Sequence, residues 1–200
     1  MPELQAARGA SLIASETSGD PTTGASPGDA PRRRLSAPAL AFVVAAVALA
    51  VDQVTKVLAV RELSDRAPVE VVGSLFQLRL LRNPGAAFSA GASLTPLISV
   101  VAVIAVVVGI YFASRVGHRG WAVGLGLLLA GVTGNLVDRM LRAPGPFRGH
   151  VVDFFELPHW PVFNIADMCI DAAGVIFVVL LIRGIRLDGS RHEEQAREDS

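Results

Sequence analysis

Four aspartates lie in or beside long apolar runs of the sequence: Asp52, Asp138, Asp153 and Asp167. An ionised carboxylate at membrane depth is energetically costly, so an aspartate in such a position is a candidate functional residue. Two carboxylates that lie close together can share one proton and act as general acid and general base. The first question is therefore which two of the four form such a pair, and on what substrate they act.

The composition is that of an integral membrane protein. Hydrophobic residues make up 52% of the 200 residues, and the mean hydropathy is +0.49. The formal net charge of zero leaves no basic footprint for nucleic acid, so we expect no nucleic-acid partner. One cysteine, Cys169, allows neither an internal disulfide nor a multi-cysteine metal site, and the four histidines lack zinc-peptidase spacing. We expect no metal and no cofactor.

The apolar runs predict a mainly α-helical membrane protein with four transmembrane helices. Each run is close to the ~20 residues that a helix needs to cross a bilayer. The runs cover approximately 39–60, 94–113, 121–141 and 164–182. We expect a disordered cytoplasmic tail over 1–36, a four-span membrane domain over 37–186, and a polar cytoplasmic tail over 187–200.

The loops predict a small β-rich region and an orientation. Val69–Val72 and Leu75–Leu81 have the composition of strands, and an Asn-Pro-Gly turn signal follows them. The arginines before the first run, after the second and after the fourth fall on one side of a four-span protein, which predicts that both termini are cytoplasmic. The β-rich region is then extracytoplasmic, and the polar motifs converge at the outer face of the membrane.

Asp52 and Asp138 have candidate partners close in sequence. Asp52 lies four residues before Lys56, the only lysine, so the two share a helical face. They form either a buried ion pair or a contact for a polar substrate backbone. Asp138 lies at a helix C-terminus, where the helix dipole disfavours an anion, and Arg139 and Asn135 are its expected partners. We interpret Asp138 as a supporting residue.

Asp153 and Asp167 are the stronger candidates for a shared proton. Asp153 lies in an apolar run that predicts a buried strand or a surface-lying segment, so its pKa should be raised. Asp167 lies near a helix N-terminus, where the dipole favours an anion, and Asn164 is well placed as the N-cap. The simpler alternatives are a solvated loop carboxylate and a capping acid. Asp171, one helical turn deeper, is left unassigned.

Five motifs in this order resemble the lipoprotein signal peptidases (signal peptidase II). They are Asp52-Gln-Val-Thr-Lys56, Asn83-Pro-Gly-Ala-Ala-Phe-Ser89, Gly134-Asn-Leu-Val-Asp-Arg139, Val151-Val-Asp-Phe154 and Phe163-Asn-Ile-Ala-Asp167. The resemblance covers about residues 38–183. It implies an aspartic endopeptidase of the bacterial inner membrane that cleaves the signal peptide of a prolipoprotein immediately before its diacylglyceryl-modified cysteine.

The resemblance also implies roles for individual residues. Asp153 and Asp167 would be catalytic, with Asp138 as the competing candidate for the place of Asp153. The supporting or substrate-binding residues would be Asp52, Lys56, Asn83, Asn135, Asp138, Arg139 and Asn164. The implied partners are lipid-modified prolipoproteins and membrane lipid, and we expect a monomer. Two other classes of function remain open from the residues alone: a proton or cation relay in a small transporter, and a membrane assembly factor.

Overall fold

The computed structural model describes residues 35–85 and 94–190. Its elements, in chain order, are α1 (Ala37–Leu63), β1 (Val69–Val72), β2 (Phe76–Asn83), α2 (Thr95–Arg115), α3 (Arg119–Leu141), β3 (Val151–Glu156) and α4 (Ile165–Ile182). Most of the predicted N-terminal tail, the predicted C-terminal tail from residue 191 onward, and residues 86–89 of the second motif lie outside the described residues.

All four helices are long and apolar enough to cross a membrane, so the prediction of a mainly helical four-span protein is confirmed. Their bounds differ from the predicted runs by only a few residues at each end. Large apolar side chains on α1, α2 and α4 are exposed on the protein surface, among them Val47 at 60%, Val107 at 62% and Val175 at 65%. These side chains suit contact with lipid tails, because a helix already satisfies its own backbone hydrogen bonds in a bilayer.

Helix α3 is the central helix, and it packs against α1, α2 and α4. Its glycines permit this close packing. A β-carbon at Gly134 would overlap a carboxylate oxygen of Asp52, and one at Gly131 would overlap the carbonyl oxygen of Ala166. Small residues let the backbones of membrane helices approach closely. The result is that α1 and α4 meet α3 at the level where the polar motifs lie.

The three strands form one antiparallel sheet in the order β1-β2-β3. The predicted strand over Val69–Val72 is confirmed, and the second predicted strand is shifted to Phe76–Asn83. The apolar run around Asp153 is a strand, β3, and its first four residues are buried. Val152 and Phe154 pack against the C-terminal end of α1 in a small apolar core. The sheet therefore rests on the bundle through β3.

The other end of the bundle is closed by the segment that follows α4. The carbonyl of Leu187 accepts hydrogen bonds from the backbone N–H groups of Gly117 (2.9 Å) and His118 (3.2 Å). The indole N–H of Trp121 donates to the carbonyl of Ile185 at 3.0 Å. These contacts tie the chain after α4 to the tight connection between α2 and α3.

Candidate active site

Asp153 is held in a fixed orientation on β3. Only 2% of its surface is exposed. Its Oδ2 accepts a hydrogen bond from Nδ2 of Asn83 at 3.0 Å, and its Oδ1 accepts one from Nδ2 of Asn164 at 2.6 Å. Asn83 is the last residue of β2 and pairs with Val151, so strand pairing brings its amide to the same face of the sheet as Asp153.

Asp167 lies in the first turn of α4 within a capping box. The side chain of Asn164 accepts a hydrogen bond from the backbone N–H of Asp167 at 3.1 Å, and the Asp167 Oδ2 accepts one from the backbone N–H of Asn164 at 3.1 Å. The other carboxylate oxygen of Asp167 accepts a hydrogen bond from Nδ2 of Asn135 at 2.8 Å. The predicted N-cap role of Asn164 is confirmed, and Asn164 contacts both carboxylates.

Asp153 and Asp167 line the same cavity of about 230 Å³. The pKa of Asp153 is raised from 3.8 to about 6, first because burial disfavours its charged form and further because the Asp167 carboxylate repels it. The hydrogen bonds from Asn83 and Asn164 oppose this rise. A carboxyl group whose pKa lies near 6 can hold or release a proton close to neutral pH, as a general acid or base must.

Lys56 engages the other two aspartates. Its Nζ lies 3.0 Å from Oδ2 of Asp52, 3.0 Å from Oδ2 of Asp138 and 3.0 Å from Oδ1 of Asn135. Lys56 and Asp138 are fully buried, and Asp52 is 1% exposed. A buried charge of this kind is stable only when it is paired and hydrogen-bonded. Of the two interpretations of Asp52 and Lys56, the structure therefore favours the buried ion pair.

The two lysine-bound aspartates also hold the backbone beside the candidate pair. Asp138 Oδ2 accepts a hydrogen bond from the backbone N–H of Val152 at 3.1 Å, and Val152 immediately precedes Asp153. Asp52 Oδ1 accepts one from the backbone N–H of Ala166 at 2.9 Å, and Ala166 immediately precedes Asp167. One buried cluster thus positions β3 and the start of α4 relative to each other.

The expected partners of Asp138 were wrong. Arg142, one turn further along, donates from Nε to Oδ1 of Asp138 at 2.5 Å. Arg139 instead donates to the backbone carbonyl of Asn135 at 3.2 Å, while the Asn135 side chain bonds Lys56 and Asp167. For Arg139 the reason is helical geometry, because residues four apart share a face whereas adjacent residues point in directions about 100° apart. Asn135 does share a face with Asp138, but its side chain is already bonded to Lys56 and Asp167.

Arg139 faces the candidate cavity with an incomplete set of hydrogen bonds. Its side chain lines the cavity that contains Asp153 and Asp167. Its Nε is buried and has no hydrogen-bond partner among the described residues. A buried donor without a partner is rare in folded proteins, and a ligand that supplies an acceptor removes the penalty. Arg139 is therefore suited to bind a carbonyl or carboxylate oxygen in this cavity.

All nine candidate residues from the sequence lie in one connected hydrogen-bond network. Sequence reasoning missed three further contributors. Gln53 donates hydrogen bonds to Asp52 Oδ2 at 2.9 Å and to the carbonyl of Gly134 at 3.1 Å. The sequence feature that indicates its role is the position of a polar residue inside an apolar run. Arg142 was recognisable from its spacing to Asp138. Trp160 lines the cavity although it is 63% exposed, and no local pattern indicates that role.

Asp171, left unassigned from the sequence, has an exposed side chain on α4. Cys169 is buried in the same helix, as its interpretation as a small apolar residue requires.

Comparison with known proteins gives one consistent result. The family model for signal peptidase (SPase) II matches residues 44–183. A lipoprotein signal peptidase of Mycolicibacterium smegmatis is 46% identical over 194 residues, which cover 92% of this chain and 81% of that protein. Lipoprotein signal peptidases of Rhodococcus jostii and Mycobacterium tuberculosis are 49% and 45% identical, and the alignments cover 76% and 82% of this chain and 77% and 81% of those proteins.

Solved structures agree with the sequence relatives. Two structures of bacterial membrane enzymes superpose with TM-scores of 0.63 and 0.62, each at 26% sequence identity. The matches cover 71% and 72% of this chain and 87% and 92% of the solved chains. With a family model that matches well over half of the chain and relatives above 40% identity, the four-span protein with its aspartate-rich site belongs to the signal peptidase II family, a family of membrane aspartic peptidases.

Proposed function

We propose that the protein removes the signal peptide from diacylglyceryl-modified prolipoproteins by cleaving the peptide bond immediately before the lipidated cysteine. Membership of the signal peptidase II family supports this activity, as do the relatives named lipoprotein signal peptidase. Its substrates are then lipid-modified prolipoproteins, and neither a metal nor a cofactor is required. Family membership in an aspartic peptidase class also favours this function over a transporter relay or an assembly factor.

Asp153 and Asp167 are the proposed catalytic pair. The observation that carries this assignment is the division of the four aspartates between two environments. Asp52 and Asp138 are both bound to the buried ammonium of Lys56. Within the described part of the chain, Asp153 and Asp167 accept hydrogen bonds only from neutral donors, and both line an open cavity. A carboxylate that neutralises a buried cation is committed to that cation, so Asp138 is the weaker candidate.

The proposed reaction is a direct attack by water. The ionised carboxylate of the pair accepts a proton from a water molecule as the water oxygen bonds to the scissile carbonyl carbon. The protonated carboxyl donates its proton to the carbonyl oxygen, which forms a neutral tetrahedral intermediate. When the C–N bond breaks, one hydroxyl of the intermediate gives its proton to the ionised carboxylate of the pair as the carbonyl reforms, and the protonated carboxyl donates its proton to the leaving amine, so the pair again holds one shared proton. Because the proton belongs to the pair, neither aspartate is named as the sole acid or base.

The polar residues around the pair have two proposed tasks. Asn83 and Asn164 orient the Asp153 carboxylate through their amide groups. Arg139 offers its unpartnered Nε to a carbonyl oxygen of the substrate backbone. Asn135 orients Asp167 while Lys56 holds Asn135 in place. In this scheme Asp52, Lys56 and Asp138 support the site and do not touch the substrate.

The proposed location is the bacterial plasma membrane, with both termini in the cytoplasm and the active site at the outer face. The arginine distribution supports this orientation. The cavity opens beside the sheet, at the level where α3 ends and α4 begins, which suits a substrate whose cleavage site lies at the membrane surface. We propose that the enzyme acts as a monomer.

A cleavage assay with matched variants tests the assignment. The purified full-length protein in detergent is incubated with a prolipoprotein peptide that carries a diacylglyceryl cysteine, and the products are identified by mass. Asp153→Asn and Asp167→Asn should each lower kcat by about 10²- to 10⁴-fold, because a positioned general acid or base typically contributes that much. Thermal unfolding of each variant checks that it is folded.

Glu156→Gln is the matched control. Glu156 is a carboxylate on the same strand as Asp153, but it pairs with Arg79 at 2.8 Å and does not line the cavity. The control should cleave at close to the wild-type rate. A folded Asp153→Asn or Asp167→Asn protein that retains more than a few per cent of wild-type cleavage would refute the proposed pair.

A further inference from the structure

A second cavity lies on the opposite face of the β2–β3 ladder from the candidate active site. Its volume is about 470 Å³. Side chains alternate between the two faces of a strand. Asn83 and Asp153 therefore face the first cavity, while Arg82 and its partner Val152 face the second. The second cavity is lined by Val60, Arg82, Arg142, Ala143, Pro144, His150 and Val152.

The polar side chains of this cavity are Arg82, Arg142 and His150, which can all donate hydrogen bonds. Arg82 is exposed and makes neither an ion pair nor a side-chain hydrogen bond with any residue of the described ranges. Arg142 uses Nε to bind Asp138, and its two terminal nitrogens have no partner in the described part of the chain. The imidazole of His150 is equally unpartnered there. The described lining contains no carboxylate.

The rest of the lining is apolar and lies where α1 and α3 end. Val60 belongs to the last turns of α1, and Arg142 caps the C-terminus of α3. Two spanning helices end at this level, which is where lipid headgroups begin. Val60 and Val57 are separated by about one helical turn, and Val57 is 57% exposed. An apolar path therefore runs from the basic cavity down the lipid-facing side of α1.

From this combination we infer that the cavity binds the phosphodiester headgroup of one anionic phospholipid, with an acyl chain along α1. Arginine is well suited to phosphate because its planar fork of N–H donors matches the phosphate oxygens. The site is separate from the peptidase cavity, and its occupant is not a substrate. The inference does not depend on the proposed peptidase activity.

A bound headgroup would also affect the active site indirectly, through the side chain of Arg142. A phosphate on the terminal nitrogens of Arg142 fixes the guanidinium whose Nε holds Asp138. Asp138 in turn holds the backbone N–H of Val152, the residue before Asp153. The lipid is therefore expected to order the strand that carries Asp153, without contact with the reacting atoms.

Native mass spectrometry of the full-length protein in detergent tests the inference. Phosphatidylglycerol and phosphatidylcholine with identical acyl chains are titrated separately, and bound lipids are counted. We expect one phosphatidylglycerol to bind at least about fivefold more tightly than phosphatidylcholine. Arg82→Gln should weaken phosphatidylglycerol about fivefold, the loss expected for one arginine near an anionic lipid. Arg82→Lys should retain most of the affinity.

Arg66→Gln is the matched control, because Arg66 is an exposed loop arginine that does not line the cavity. It should bind phosphatidylglycerol as the wild type does. Equal binding of the two lipids, or equal weakening by Arg82→Gln and Arg66→Gln, would overturn the inference, since both results indicate general surface charge. Millimolar inorganic phosphate should not displace the lipid. Displacement by phosphate would identify a site for free anions and overturn the assignment to a lipid. Thermal unfolding without added lipid confirms that Arg82→Gln is folded.

Discussion

The clearest test of the two aspartate environments is to neutralise one aspartate from each and compare stabilities. Asp153→Asn removes a carboxylate that the fold keeps in an unfavourable environment. Asp138→Asn removes one that neutralises a buried cation. Both changes replace a carboxylate oxygen by an amide nitrogen of similar size, so side-chain volume stays constant while charge and hydrogen bonding change. We expect the two variants to differ in the size and pH dependence of their effects on the free energy of unfolding.

The magnitude for Asp153 follows from its pKa. The group titrates near 3.8 in an unfolded chain and at about 6 in the folded protein. Between these values the folded protein holds a proton that the unfolded chain has lost, so stability falls as pH rises through this window. The full difference corresponds to about 3 kcal/mol. Asparagine at this position removes the effect. It also leaves one of the amide donors of Asn83 and Asn164 without its acceptor, at a pH-independent cost of about 1–3 kcal/mol.

For Asp138→Asn we expect a large loss of stability at neutral pH. It is fully buried and binds Lys56, Arg142 and the backbone N–H of Val152. Breaking a buried ion pair by removing one partner typically costs about 3–5 kcal/mol. Asp138→Asn should therefore lose that much stability at neutral pH, and it should retain part of its activity whenever the sample is folded.

The assay is the free energy of unfolding in mixed detergent, measured between pH 4 and pH 7 for the wild type and both variants. The stability of the wild type relative to Asp153→Asn should fall by about 2 kcal/mol across this range, because part of the titration already lies below pH 4. A difference that does not change with pH would refute the raised pKa. A folded, fully stable and inactive Asp138→Asn would transfer the catalytic role from Asp153 to Asp138.

Two further predictions concern the hydrogen bond to Asp153 and the packing of α3. Asn83→Leu removes a donor that stabilises the ionised form of Asp153, so the pKa of Asp153 should rise. The high-pH limb of the kcat/KM profile, expected near pH 6 in the wild type, should therefore move up by about one pH unit. The control Gln77→Leu, on the same strand, should leave this limb in place. A limb that stays fixed or moves down in Asn83→Leu would contradict the role of this bond. Gly134→Ala should lower the free energy of unfolding by about 1–3 kcal/mol, because the added β-carbon would overlap a carboxylate oxygen of Asp52 on α1. The control Gly174→Ala places its β-carbon in open space on α4 and should be neutral or slightly stabilising. Equal stabilities of the two alanine variants would show that α1 and α3 can move apart freely.

Most of the architecture could be predicted from local patterns. Hydropathy over ~20 residues locates a membrane helix because the bilayer requires an apolar segment of that length. The strand alternation at 69–72 and the N-cap at Asn164 are also local, since each depends on neighbouring residues along the chain. The raised pKa of Asp153 followed from its apolar neighbours alone. The exact strand ends did not, because the limits of β2 depend on where β3 pairs with it.

The division of the aspartates was decided only by tertiary contacts. Asp52 and Lys56 share a helical face, which the sequence indicates, but the second ion pair of Lys56 joins α1 to Asp138 on α3. Such a pairing depends on how two helices are rotated and how closely they approach, and glycines on α3 determine that approach. The sequence could therefore identify four costly carboxylates and the membrane that surrounds them. Only the packed helices show that Lys56 binds Asp52 and Asp138 together, with Arg142 as the second cation, and that Asp153 and Asp167 face the cavity.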